Sequence, residues 1–451
     1  MPVNAILALV AFIGAIIVWN VVVKRNIGEA MVIGFLVSAA FAGADAPRVA
    51  WESLVEGLKS EITFAALAFV FVSELLTRTG LVQRMIDILS SMLGRREGGS
   101  AYAATVSAGL FGAVAHNGAA IVATIGSITI PWMKRSKASG ETAALVLAGN
   151  AGVGATFPFS GAFFILLAAP TVLPVLQAKD VVGTIFVVGA WMVAMRLVIA
   201  YVIVKRRGVG AMAPEDIHPL RRSFAAGWTS LVVLAAIAVP IVLTASPTSD
   251  LIGDRLGGLD VSDAVPLLVW LPVVMLIAGL VVERRALPRG GGQWWSLLSE
   301  ISPRLGLIGV TMISAFAASN VLNTLGIGEQ LAPYLKQLED VPQIVAALVV
   351  GLIVVIVAGP LNTTSTLAAV GPVAFAALTA ADVPPYVAFA AIIVWASSEG
   401  CSPPGAAPLY VAASIASINP VRIFVPVTLY YLLPSYVMGV LMVMGAIWIP
   451  G

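Results

Sequence analysis

Oxygen-bearing side chains gather at four places where glycine or proline interrupts an apolar run. His116-Asn117-Gly118 breaks the run from Phe111 to Pro131, and the stretch from Gly154 to Ser160 breaks the next one. Downstream, Asn362-Thr363-Thr364-Ser365 follows Gly359-Pro360, and Ser397-Ser398-Glu399-Gly400-Cys401-Ser402 precedes Pro403-Pro404. Proline leaves a backbone carbonyl unpaired, and carbonyl, amide and hydroxyl oxygens together suit a hard cation such as Na+. Helix N-termini exposed at the same breaks favour an anion. The candidate cation ligands are Asn117, Gly154, Pro158, Asn362, Thr364, Ser365, Ser398 and Glu399. Candidate contacts to a bound solute are His116, Asn117, Thr156, Ser160, Asn362, Thr363 and Ser402. Each has a plainer reading beside it. An Asn can simply cap a helix end, and a proline can kink a helix with no ligand present. His116 either meets a solute carboxylate or titrates, or it is a neutral ring bonded to a backbone carbonyl. Glu399 either binds Na+ or a proton, or it stands in a watery vestibule.

Other chemistry is excluded by what the chain lacks. Cys401 is the single cysteine and His116 and His218 lie far apart, so there is neither a disulfide framework nor a thiolate or histidine metal cluster. Convergent acid, base and nucleophile groups are missing, which argues against an enzyme. No GxxxxGK[ST] pattern occurs, so ATP does not drive this chain.

The elements that must position these residues are membrane helices. Of 451 residues, 59% are hydrophobic and 11% charged, with mean hydropathy +1.00; a soluble domain carries roughly 25% charged residues. A net charge of +2 gives no basis for a nucleic-acid partner. Spans of about 20 apolar residues are predicted at 3–23, 27–43, 62–77, 181–204, 225–245, 264–282, 305–324 and 422–449. The first has neither a leading basic residue nor a cleavage site and reads as a retained span. Non-helical backbone survives at membrane depth only where protein or a cavity surrounds it, so the breaks predict a transport site built from discontinuous segments. Basic residues collect on the cytoplasmic side. Lys24-Arg25, Arg95-Arg96, Lys134-Arg135, Lys205-Arg206-Arg207 and Arg284-Arg285 share that side only if residues 100–133 form a re-entrant helical hairpin, and 344–378 is a second one that opens and closes on the outer face, between Glu339-Asp340 and Asp382. Both termini then lie outside the inner (cytoplasmic) membrane. Arg196 would snorkel toward the inner face, and Glu74 with Arg78 would form an i,i+4 ion pair.

An internal repeat accompanies this pattern. SELLTRTGLVQRM from Ser73 resembles SNVLNTLGIGEQL from Ser319, and Asn117, Gly126 and Pro158 recur as Asn362, Gly371 and Pro403 at an offset of 245. The expected fold is an all-α polytopic protein of two inverted repeats, each with five spans and one hairpin. Its divisions are 1–61 as first scaffold helices, 62–180 as transport half one with a broken helix at 141–177, 181–304 as connecting and second scaffold helices, 305–411 as transport half two with a broken helix at 384–410, and 412–451 as the C-terminal helix.

Three motifs carry a family resemblance. SELLTRTG at Ser73 to Gly80 resembles GEL(M)xRSG of the large membrane subunit of the TRAP (tripartite ATP-independent periplasmic) transporters, in the ion transporter superfamily. LFGAVAHNGAAIVATIGSITIPWMKR resembles that family's FGGxSGSAxADxAALGSxxIPxMKxxGY, and CSPPGAAPLYVAASIA resembles TPPVGxNLFVxxxIA, in the same order along nearly the whole chain. Departures fall at Ala115-His116-Asn117, where the family has Ser-Gly-Ser, at Ile121, where it has an acid, and at Asn362, where it has Asp. The resemblance implies Na+ around both hairpins as the coupling ion, an elevator motion, a separate small four-span membrane subunit, and an extracytoplasmic solute-binding protein that delivers an organic acid of the dicarboxylate or sugar-acid class. The alternative is a stand-alone Na+ or H+ coupled organic-acid permease of the same superfamily.

Overall fold

The computed structural model describes residues 4–115, 118–236, 238–244, 248–255, 267–338, 340–403 and 407–451. Among them all regular structure is helical. Four helices among the described residues are long and apolar enough to cross a membrane: Ala178–Arg207, Gly291–Thr324, Thr363–Ala380 and Pro420–Val443. Two bent pairs behave as broken spans, Gly43–Lys59 with Glu61–Arg78 at 52° and Gly140–Thr156 with Gly161–Leu167 at 45°. Several further helices, including Asn4–Asn20, Ile27–Ala40 and Gln343–Val357, are apolar but shorter than a full crossing. The span expected at 225–245 is divided into Leu220–Ala235 and Ala238–Thr244. The helix expected from Leu305 begins earlier, at Gly291, and its 34 residues run for ~51 Å. Hydropathy placed its start late because Ser299 to Arg304 is polar.

Helix contacts sort into two groups. In one, Gly291–Thr324 packs on Ile27–Ala40, Ala46–Lys59 and Glu61–Arg78, with Asn4–Ile17 and Leu267–Val282 alongside. In the other, the hairpin Gly99–Ala115/Gly118–Arg135 packs on Gly140–Asn150, Ala178–Arg207 and Ala407–Ala416. The hairpin Gln343–Val357/Thr363–Ala380 packs there on Pro385–Ala396 and Leu433–Val443. Val345, Val349, Leu352 and Ile356 are exposed along one face of Gln343–Val357, as a face turned to lipid would be.

Two expectations about charged residues are corrected. Arg196 does not snorkel: it is fully buried, its Nη2 donates to Ser435 Oγ at 3.0 Å and its Nη1 to the Tyr431 carbonyl at 3.5 Å, with the guanidinium 5.0 Å from the Tyr431 ring centroid. A π-helical turn at Thr428–Leu432 presents that carbonyl, and the cation is held where an acceptor and an aromatic face converge. Glu74 and Arg78 do not pair with each other. Glu74 pairs with Arg304 and Arg78 with Glu300, both partners lying on Gly291–Thr324. The early start of that helix supplies cross-helix partners that the i,i+4 rule cannot see.

Candidate functional site

Both broken helices lose their α-helical hydrogen bonding through 3-10 turns. Gly140–Asn150 passes into Ala151–Thr156, the chain extends at Phe157, and Ser160 restarts the helix by accepting the Phe163 N–H at 3.1 Å. Pro385–Ala396 passes into Ser397–Cys401. The two turns cross in direct contact. At the crossing a Cβ on Gly152 would stand 1.7 Å from the Ser397 carbonyl oxygen, so only glycine fits. Phe159 adopts φ +66, in the left-handed region. Its ring stacks on Phe69 of Glu61–Arg78, with centroids 4.7 Å apart and 8° between planes.

Beside the crossing lies a cavity of about 500 Å³, lined by Gly118, Ser160, Asn362, Thr363, Thr364 and Glu399, with Glu74 and Arg304 also on its wall. Thr363 opens the second helix of the second hairpin, and Gly118 opens the second helix of the first. The Glu399 carboxylate accepts the Thr363 N–H at 2.5 Å, and its Oε1 lies close against the Gly118 backbone. Asn362 caps its helix: Oδ1 accepts the Ser365 N–H at 2.8 Å and the Thr364 hydroxyl at 2.7 Å. The plainer reading of Asn362 therefore describes its contacts in this conformation. Ser365 Oγ beneath it is buried with no partner, as an oxygen awaiting a ligand would be.

The remaining candidates fall outside the cavity wall. Thr156 is buried and donates to the Val153 carbonyl at 2.7 Å. Ser402 donates to the Ser398 carbonyl at 3.0 Å, and both serines are buried. Gly154 packs against Gly112, and Pro158 is buried. His116 and Asn117 lie outside the described residues. Sequence reasoning missed Asn150, a buried side chain whose Nδ2 donates to Thr105 Oγ1 at 3.0 Å and to the Val146 carbonyl at 2.8 Å while Oδ1 has no partner. An amide inside the apolar run LVLAGNAG was the signal. The Glu74–Arg304 pair was missed for want of the long helix. Among the described residues no cluster of three or more His, Cys, Asp or Glu side chains could hold a metal ion.

Comparison with known proteins places this architecture. The family model of the tripartite ATP-independent periplasmic transporter, DctM component, matches residues 2–450. A protein of Haemophilus influenzae named as a TRAP transporter large permease is 26% identical over 142 residues, which is 31% of this chain and about a third (35%) of that relative's length. Among solved structures, the YdaH transporter of Alcanivorax borkumensis superposes with TM-score 0.64 at 17% identity, over 89% of this chain and 90% of that one. MtrF of Neisseria gonorrhoeae, a protein associated with antimetabolite efflux pumps, superposes with TM-score 0.64 at 13% identity, over 95% of this chain and 97% of its own. At these identities the structural likeness is one of fold.

Proposed function

The chain belongs to the tripartite ATP-independent periplasmic transporter family as its large, DctM-type membrane component, and from that premise we propose that it is a secondary carrier for an organic anion of the dicarboxylate or sugar-acid class, coupled to Na+. The observation that carries this reading is the convergence of the helix starts at Gly118 and Thr363 and of two broken helices on one cavity that offers helix N-termini to an anion, with the unpaired Ser365 hydroxyl two residues into the helix that Thr363 opens. Asn362, Thr363, Thr364 and Ser160 face the solute, with His116 and Asn117 at the other hairpin tip. Ser365, Ser398, Asn150 and Glu399 are the oxygen donors nearest the breaks. The two halves are inverted repeats of five spans and a hairpin in the inner membrane, with both termini outside. The body made of the hairpins, the broken helices and Ala178–Arg207 slides as an elevator against the frame of Asn4–Ile17, Ile27–Ala40, Glu61–Arg78, Leu267–Val282 and Gly291–Thr324. A separate four-span subunit braces that frame, and an extracytoplasmic solute-binding protein delivers the acid.

The carboxylate of Glu399 on the cavity wall favours one second reading, a stand-alone permease coupled to protons. Proteoliposomes separate the two. With the small subunit and binding protein supplied, labelled organic acid should accumulate only under an imposed Na+ gradient. Accumulation driven by a proton gradient without the binding protein would replace the first reading by the second, and no uptake of any acid in the panel under either gradient would remove both.

A further inference from the structure

Glu399 stands where both hairpins can be held at once. Its carboxylate accepts the N–H of Thr363 at 2.5 Å and lies against the backbone of Gly118, and these residues are 245 apart, the spacing of the internal repeat. A Cβ on Gly118 would sit 2.4 Å from Glu399 Oε1, so any larger residue there must displace the carboxylate. The position that the repeat pairs with Glu399 is Gly154, where a Cβ would fall 2.4 Å from the Gly112 Cα. The second half thus supplies a carboxylate and the first half has no room for one. A single carboxylate stands beside two helix N-termini, the ends at which each helix favours negative charge. The other charged side chains on the cavity wall, Glu74 and Arg304, pair with each other.

We infer that Glu399 is a built-in competitor for the carboxylate of the solute: it hooks the two hairpin tips together by standing between them, and an arriving acid takes over the Thr363 N–H and the space beside Gly118 and frees the hook. The inference rests on the organic-acid reading above and adds a coupling rule to it. After the exchange two carboxylates share one cavity. Like charges at such range raise each other's energy, so a cation must enter with the acid.

Formate is a probe that carries only the competing group. The purified full-length chain and its Glu399→Ala variant are titrated with formate at fixed ionic strength and followed by thermal melting. Formate should raise the melting temperature of Glu399→Ala and leave the native chain unmoved. Its affinity for the variant should exceed that for the native chain at least about tenfold, the worth of one charged hydrogen bond. Glu399→Gln keeps the shape and removes the charge, which covers the case of an alanine variant that does not fold. In Glu399→Gln the affinity for a transported acid should no longer depend on Na+. Equal formate affinity in native and variant chains, or a folded Glu399→Ala that ignores formate, overturns the proposal. Formate binding to Glu399→Ala with no uptake of any acid by the native chain would sink the organic-acid reading and leave the hook standing, so the two failures are distinct.

Discussion

Substitution of Gly152 by alanine tests the crossing of the two broken helices. The added Cβ would lie 1.7 Å from the Ser397 oxygen, 2.8 Å from its carbonyl carbon and 3.3 Å from its Cα. All three are backbone atoms, so no side-chain rotation relieves the clash. A carbon and a carbonyl oxygen need roughly 3.3 Å even in close contact, so the turn Ser397–Cys401 must retreat by about 1.5 Å. Glu399 rides on that turn, and a retreat of this size stretches its 2.5 Å bond from Thr363 beyond hydrogen-bonding reach. The overpacking alone costs about 1–3 kcal/mol. Losing a charged hydrogen bond adds ~1.5–3 kcal/mol. Gly183→Ala is the matched control, since nothing lies within 4 Å of the new methyl and alanine gains up to ~1 kcal/mol over glycine inside a helix. Fluorescence-detected melting in detergent, paired with uptake in proteoliposomes, should show Gly152→Ala well below the native melting temperature and inactive. Gly183→Ala should melt at or above the native value with normal uptake. A Gly152→Ala variant with native melting and native uptake would refute the crossing as described.

Three further outcomes are expected. Ser435→Ala should destabilise more than Arg196→Met, because the first removes the nearest acceptor of a buried cation and leaves it only the longer contact to the Tyr431 carbonyl and the ring, whereas after the second the Tyr431 carbonyl still accepts Ser435 Oγ at 2.7 Å; the reverse order of melting temperatures would count against that account. Ser365→Ala leaves the backbone N–H on Asn362 and removes only the unpaired hydroxyl, so the Na+ concentration for half-maximal uptake should rise about tenfold with melting unchanged; an unaltered Na+ dependence would take Ser365 off the ligand set. A double-mutant cycle on Glu74 and Arg304, partly exposed at 17% and 57%, should return a coupling of roughly 0.2–1 kcal/mol, and no coupling would mean that the pair is ornamental.

The breaks were legible because glycine, proline and hydroxyl residues cannot hide inside apolar runs. The turns at Ala151–Thr156 and Ser397–Cys401 fall where those residues cluster. What they touch was not legible. Arg196 reads as a snorkelling cation from its distance to Lys205, and the partner that keeps it buried is Ser435, 239 residues away on a helix whose π-turn no hydropathy profile reveals. The intrahelical spacing of Glu74 and Arg78 was correctly noted and energetically secondary, since partners on a neighbouring helix won. Glu399 is the intermediate case. Its presence in a break was plain, and the repeat offset already aligned it with a glycine, but its place between Gly118 and Thr363 depends on how the two hairpins close together.

The stacked rings of Phe159 and Phe69 bear on how a sliding body would come to rest. One ring belongs to the broken helix and the other to the frame, and they lie nearly flat on each other. Such a pair is worth about 0.5–1.5 kcal/mol beyond its buried area, while a phenylalanine at φ +66 gives back ~1–2 kcal/mol in backbone energy. Attraction and strain of similar size make a shallow detent: the stop is felt, yet a displacement of one ring width leaves it without a large barrier. In the proposed elevator, such a catch would release as readily as it engages.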